Sequence, residues 1–216
     1  MTDHTLDEIR TLLAPDIAAN AAFDGWGDSA RDIAAETNGI DRDVAALAFP
    51  GGGVDMIDAW FASIDARMVK ALPAETLATM KIRERITALV EARLAAVTVD
   101  REALRRALAV LAMPQHLARA ARLGWRTVDL IWRQAGDTAT DYNHYTKRAI
   151  LLGVYGATVT VFLDDDSEDQ TDTRAFLARR IEGIMRFEKA KAGFLSRSDY
   201  RPSLSRFIGR LRYPVA

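Results

Sequence analysis

Apolar residues recur at three- and four-residue intervals along nearly the whole chain, and that period commits it to helices. Leu6, Ile9, Leu12, Leu13 and Ile17 define one apolar face near the start, and Met56, Ile57, Trp60, Phe61, Ile64 and Met68 define another. A strand requires alternation, and only Val159-Thr160-Val161 offers it as a competing reading. The pattern predicts an all-α fold of about ten helices. With 49% apolar residues over 216 positions there is enough material for a core.

Turn and cap signals divide the helices. The first ends at Gly25-Trp26-Gly27; Asp28 or Ser29 can cap a short second helix, which Asn38-Gly39 closes. Asp41 caps a third that ends before Pro50-Gly51-Gly52-Gly53. A longer helix is predicted from Val54 to Ala71, stopped by Pro73, then two more over 75–98 and 100–112. Pro114 restarts the chain as far as about Ala135, and 141–163 forms the most apolar helix. A ninth helix is expected over 171–193, then a linker over 194–203 and a tail helix capped by Ser203. The expected organisation is thus a helix-turn-helix-like module over 1–53, a helical domain over 54–193, and a linker with an amphipathic helix over 194–216.

The chemistry available is narrow. There is no cysteine, and none of the three histidines, His4, His116 and His144, follows a glutamate by three residues. The glycine run at 51–53 lacks the Lys-Ser/Thr of a phosphate loop, and no nucleophile elbow is present. The sequence therefore predicts no catalytic residues, no metal, no cofactor and no enzyme activity. Its start lacks the basic and apolar stretches of a signal peptide, which points to the cytoplasm. The longest uncharged apolar run, 149–163, is short of a membrane span.

The three short helices with their tight turn are similar to the amino-terminal module of the tetracycline-repressor class. Charge argues against DNA binding. Residues 1–60 hold twelve acids against three arginines, a net of −9, and the presumed recognition helix opens Asp41-Arg42-Asp43. The sequence thus predicts a degenerate helix-turn-helix with no nucleic-acid partner; a ligand-responsive DNA-binding regulator is the alternative. The other end is basic, with eight bases against two acids over 186–212. There Leu204, Phe207, Ile208 and Leu211 share one helical arc while Arg206 and Arg210 lie opposite, the pattern of an interfacial membrane helix. Docking of this tail on its own domain or on a second subunit is the competing reading.

From Trp132 the chain reads Trp-Arg-Gln-Ala-Gly-Asp-Thr-Ala-Thr-Asp-Tyr-Asn-His-Tyr-Thr-Lys-Arg. This segment resembles the signature of the ubiquinone (coenzyme Q) biosynthesis accessory lipid-binding family, the ninth of the coenzyme Q proteins. Gly25-Trp26, Phe49-Pro50-Gly51 and Met113-Pro114 extend the similarity over most of the chain. The resemblance implies a repressor-like helical fold, often homodimeric, whose 54–193 domain holds an isoprenoid or quinone lipid. It further implies an amphipathic last helix at the inner membrane surface, and presentation of a polyprenyl quinone intermediate to a ring hydroxylase of the pathway. Carried onto this chain, the partner-binding positions are Asp129, Asp141, His144 and Tyr145. The family commonly has Trp where His144 stands. For the lipid, the candidates are Trp132, Leu152, Tyr155, Val159 and Phe162, although periodicity alone favours their filling the core over their lining a cavity.

Overall fold

A computed structural model describes residues 4–138 and 142–198; the side chains of Tyr142, Asn143, Met185 and residues 187–198 are outside that description. The α-helices are α1 (Leu6–Asp24), α2 (Asp28–Thr37), α3 (Arg42–Ala48), α4 (Gly53–Ala71), α5 (Ala74–Ala78), α6 (Ile82–Ala95), α7 (Arg101–Leu111), α8 (Leu117–Gln134), α9 (Tyr142–Leu163) and α10 (Thr171–Ser198). Short 3-10 turns at Pro114–His116 and Glu168–Gln170 precede α8 and α10. No strand occurs among the described residues, and Val159-Thr160-Val161 lies within α9.

Local chemistry sets the helix ends. Thr5 and Glu8 form a reciprocal capping box at the start of α1: the Thr5 N–H donates to the Glu8 carboxylate and the Glu8 N–H to the Thr5 hydroxyl. The Asp41 carboxylate accepts from the N–H groups of Asp43 and Val44, as its position predicts. α2 differs from expectation, since neither Asp28 nor Ser29 caps it. Gly27 occupies the cap position, and Asp28 pairs with Arg31 instead. The predicted helix over 75–98 is two helices, α5 and α6, because Lys81 is extended and its N–H donates to Glu84. Arg85 reinforces the break by donating to the carbonyls of Met80 and Ala78. α10 runs to Ser198, past its predicted end at 193.

α1 is the hub of the first part. Its Ile9, Leu13 and Ile17 are buried, and it packs against α2, α3, α4 and α7. Each such side chain contributes roughly 1.5–3 kcal/mol of gross burial free energy. The glycine turn before α4 is a close approach: a Cβ on Gly53 would lie 2.4 Å from the Trp26 carbonyl oxygen. Trp26 itself donates its indole N–H to the Ala103 carbonyl and meets the Trp60 ring at 5.2 Å, tying α7 and α4 to the turn that follows α1. α4 then packs on α6, α7 and α8, while α9 lies along α8 and touches α6 and α7. The compact unit built this way extends to Leu177; a second unit begins at Ala178, and its described part is the remainder of α10.

One expectation about α9 needs correcting. Counting only its uncharged run makes it too short to cross a bilayer, but His144–Leu163 is long and apolar enough by length and mean hydropathy. Lys147 and Arg148 lie inside that window, and Leu151, Val159 and Phe162 are buried in the bundle.

Candidate functional site

The helices α4, α6, α7, α8 and α9 line a chamber of about 370 Å³ that is open to solvent on one side. Leu104, Leu108 and Leu111 of α7 line it, with Leu117 and Leu123 of α8, Leu152 and Val159 of α9, and Phe61 of α4. This is within the size range of small-molecule sites, and its aliphatic lining suits hydrocarbon. Gly124 allows α8 and α9 to approach closely here, since a Cβ on it would lie 2.9 Å from a Leu152 methyl.

Arg93 of α6 also lines the chamber, although it is only 2% exposed. Its Nε donates to the Asp65 carboxylate of α4 at 2.8 Å, and its Nη1 donates to the Tyr155 hydroxyl of α9. The guanidinium lies 5.5 Å from the Phe61 ring centre and 5.2 Å from that of Tyr155. Burial pushes the Tyr155 phenol above its ordinary range, against the pull of Arg93. The site is therefore an apolar chamber with one cationic, hydrogen-bonding wall.

Of the five residues expected to hold lipid, Leu152, Tyr155 and Val159 line this chamber. Trp132 and Phe162 are not in its lining. Phe162 is fully buried beneath the Arg101 guanidinium, 4.8 Å from the ring centre. The Trp132 indole donates to the Lys147 carbonyl at 3.2 Å and carries the Lys147 ammonium over its face.

The signature segment builds a corner where α8 meets α9. Arg148, 1% exposed, donates to Asp129 at 2.7 Å, to Asp137 at 3.0 Å and to the His144 carbonyl at 3.1 Å. Lys147 also reaches Asp137, at 2.7 Å, and Arg133 reaches Asp129 at 2.5 Å. Burial would raise the Asp137 carboxyl, but the hydrogen bonds from Lys147 and Arg148 overcome it and hold the group below the usual carboxylate range. Asp129, expected on a partner surface, is thus engaged within the chain. Tyr145 is 62% exposed, stacked 6.1 Å from Trp125 and edge-on to the His144 ring at 5.1 Å. Asp141 and the tail positions Leu204, Arg206, Phe207, Ile208, Arg210 and Leu211 lie outside the described residues.

Sequence reasoning missed Arg93 and Asp65, although a signal was there. Ile86, Leu89, Val90 and Leu94 form the buried face of α6, and Arg93 falls in the same register; Asp65 does likewise between Ile64 and Met68 of α4. Two opposite charges on two apolar faces imply a buried pair. A second groove, of about 530 Å³, runs between α1, α4 and α8. Its lining includes Arg119 bridging Asp55 and Asp58, and Arg126 on Asp58, a charged surface unsuited to hydrocarbon.

Comparison with known proteins agrees with this architecture. The COQ9 family model matches residues 117–188, the stretch that contains α8, the signature corner and α9. The chain is 33% identical over 168 residues to the mitochondrial ubiquinone biosynthesis protein COQ9 of Rattus norvegicus, covering 74% of this chain and 54% of that protein. The corresponding Xenopus tropicalis protein is 34% identical over 169 residues, covering 74% and 53%, and the Homo sapiens protein 30% over 168, covering 74% and 52%. The chain spans about half the length of the curated relatives it matches. Among solved structures, the TetR transcriptional regulator of Nitrosomonas europaea ATCC 19718 superposes with a TM-score of 0.65 at 24% identity, covering 81% of this chain and 96% of that one. The all-α fold is therefore repressor-like, and by its signature and its relatives the chain belongs to the COQ9 family.

Proposed function

We propose that the protein is a non-catalytic lipid-binding accessory factor of ubiquinone biosynthesis, which holds a polyprenyl quinone intermediate and presents it to a ring hydroxylase. The observation that carries this reading is the leucine-lined chamber between α7, α8 and α9. Each methylene removed from water contributes about 0.8 kcal/mol, but a tail that moves from bilayer to apolar chamber exchanges one hydrocarbon environment for another. Loading and release then cost little in either direction, as a carrier requires. The exposed Tyr145, backed by Trp125 and edge-on to His144, is the surface proposed to dock the hydroxylase. The basic amphipathic segment from Leu204 is proposed to attach the protein to a membrane, and the working unit is proposed to be a homodimer.

The repressor-like fold raises DNA regulation as a rival, but α3 disfavours it. Arg42 is paired with Glu36, and Asp41 and Asp43 flank it at the helix start. Mass spectrometry of lipids retained through native purification tests the chamber. An isoprenoid quinone is the expected occupant, and a preparation free of any lipid would sink the reading. Liposome flotation with the residues after Ser203 removed tests attachment; flotation should fall sharply, and unchanged flotation rejects the tail's role.

A further inference from the structure

We propose that Arg93 and Tyr155 form a recognition site for the carbonyl oxygens of a neutral quinone ring, so that the chamber selects oxidised quinone heads over quinol, carboxylate and phosphate heads. This rests on the carrier reading above and goes beyond it by naming the head-group chemistry. The first support is the count of donors. Arg93 directs Nε to Asp65 and Nη1 to Tyr155, and its Nη2 meets no acceptor among the described residues. The Tyr155 oxygen accepts from Arg93, and the tyrosine's own proton finds no acceptor among the described residues. Both residues line the chamber. Nη2 is not among the fully buried side-chain atoms that lack a partner, so it is open to the chamber, where it and the Tyr155 hydroxyl can donate to an oxygen acceptor.

Charge narrows the ligand further. Asp65 already balances Arg93 at 2.8 Å, so the pair is neutral as it stands. A carboxylate or phosphate bound there leaves an uncompensated negative charge in a leucine-lined cavity, whereas a ketone oxygen takes the same hydrogen bonds with no net charge. A quinol offers oxygens too, but each carries a proton that needs its own acceptor, and the lining offers no carboxylate for it, only the Thr127 and Thr160 hydroxyls. Phe61 and Tyr155 hold the guanidinium against their faces, which fixes the direction of the donors before a ligand arrives. Burial keeps the Tyr155 phenol protonated at neutral pH and so able to donate.

The test uses the full chain stripped of lipid and four probes of matched tail length. These are a benzoquinone with a two-isoprene tail, its dithionite-reduced quinol, the terpene hydrocarbon without a ring, and a fatty acid. The quinone should bind about ten-fold more tightly than any of the other three. Tyr155→Phe keeps the ring packing and deletes the donor; it should weaken quinone binding about ten-fold and leave the hydrocarbon unchanged. The carbonyl stretch of the bound quinone should fall below its value in hexane and move back toward it in Y155F, a signature independent of affinity. Equal quinone binding by Y155F, an unshifted carbonyl band, or tighter binding of quinol or fatty acid overturns the proposal. If the hydrocarbon binds but the ring adds nothing, the recognition site alone falls; if no probe binds, the carrier reading falls with it.

Discussion

At the scale of single residues, the chain's buried charges are tied into defined partnerships, and each can be measured. Arg148 is the clearest case, because one buried guanidinium satisfies both Asp129 and Asp137. Arg148→Ala leaves two carboxylates without it and should cost about 3–5 kcal/mol in urea unfolding. Arg148→Lys retains the charge but not the fork, and its cost should fall between wild type and alanine. Asp165 is the second case. Burial alone would raise its carboxyl, but the hydroxyl and N–H groups of Ser167 and Thr173 donate to it and hold it far below the usual range. A folded-state pKa depressed in this way contributes stability that is present above the unfolded value near 3.9 and is lost as pH falls toward the folded value. Asp165→Asn should therefore cost about 2–3 kcal/mol at pH 7, and its deficit against wild type should shrink as unfolding is repeated below about pH 4.

At the scale of elements, what the sequence discloses follows from how local the cause is. The Asp41 cap of α3 and the Gly39 stop after α2, with φ of +66°, depend on neighbours within a few residues, and both are legible in the sequence. The break between α5 and α6 is not, because Ala78-Thr79-Met80-Lys81 contains neither glycine nor proline. That break is held in part by Arg85, which also donates to the Ala135 carbonyl at the end of α8, fifty positions away. Periodicity likewise puts Leu152, Tyr155, Val159 and Phe162 on one face of α9, but it cannot say where a neighbouring helix stands off and where it closes in. Only the first three meet open space; Phe162 is under Arg101. The glycines give a test of this contrast. Gly53→Ala pushes a Cβ into the Trp26 carbonyl and should lower the melting temperature, whereas Gly153→Ala, exposed on α9 with nothing within 4 Å, should raise stability by about 0.5–1 kcal/mol. Melting curves that move in the same direction for both variants would contradict these assignments.

At the scale of the whole molecule, a fold shared with a transcriptional regulator is combined with a charge distribution that opposes DNA. The near-zero total of −1 conceals a first quarter at −9 and a basic carboxyl-terminal stretch, while the apolar chamber lies in the helices that follow the module. Stability and carrying capacity are consequently separable in this architecture, and Gly156 is the position that separates them. It lies on α9 in the chamber lining, and a Cβ there would meet no atom within 4 Å. Gly156→Leu replaces a poor helix former with a good one, and its side chain occupies part of the 370 Å³ instead of displacing a neighbour. The melting temperature should hold or rise, while the lipid retained per protein, measured by native mass spectrometry, should fall several-fold. That opposition is what a ligand chamber predicts, since filling empty space improves packing at the expense of the guest. An ordinary packing defect predicts higher stability with an unchanged lipid complement, and that outcome would remove the chamber from the mechanism.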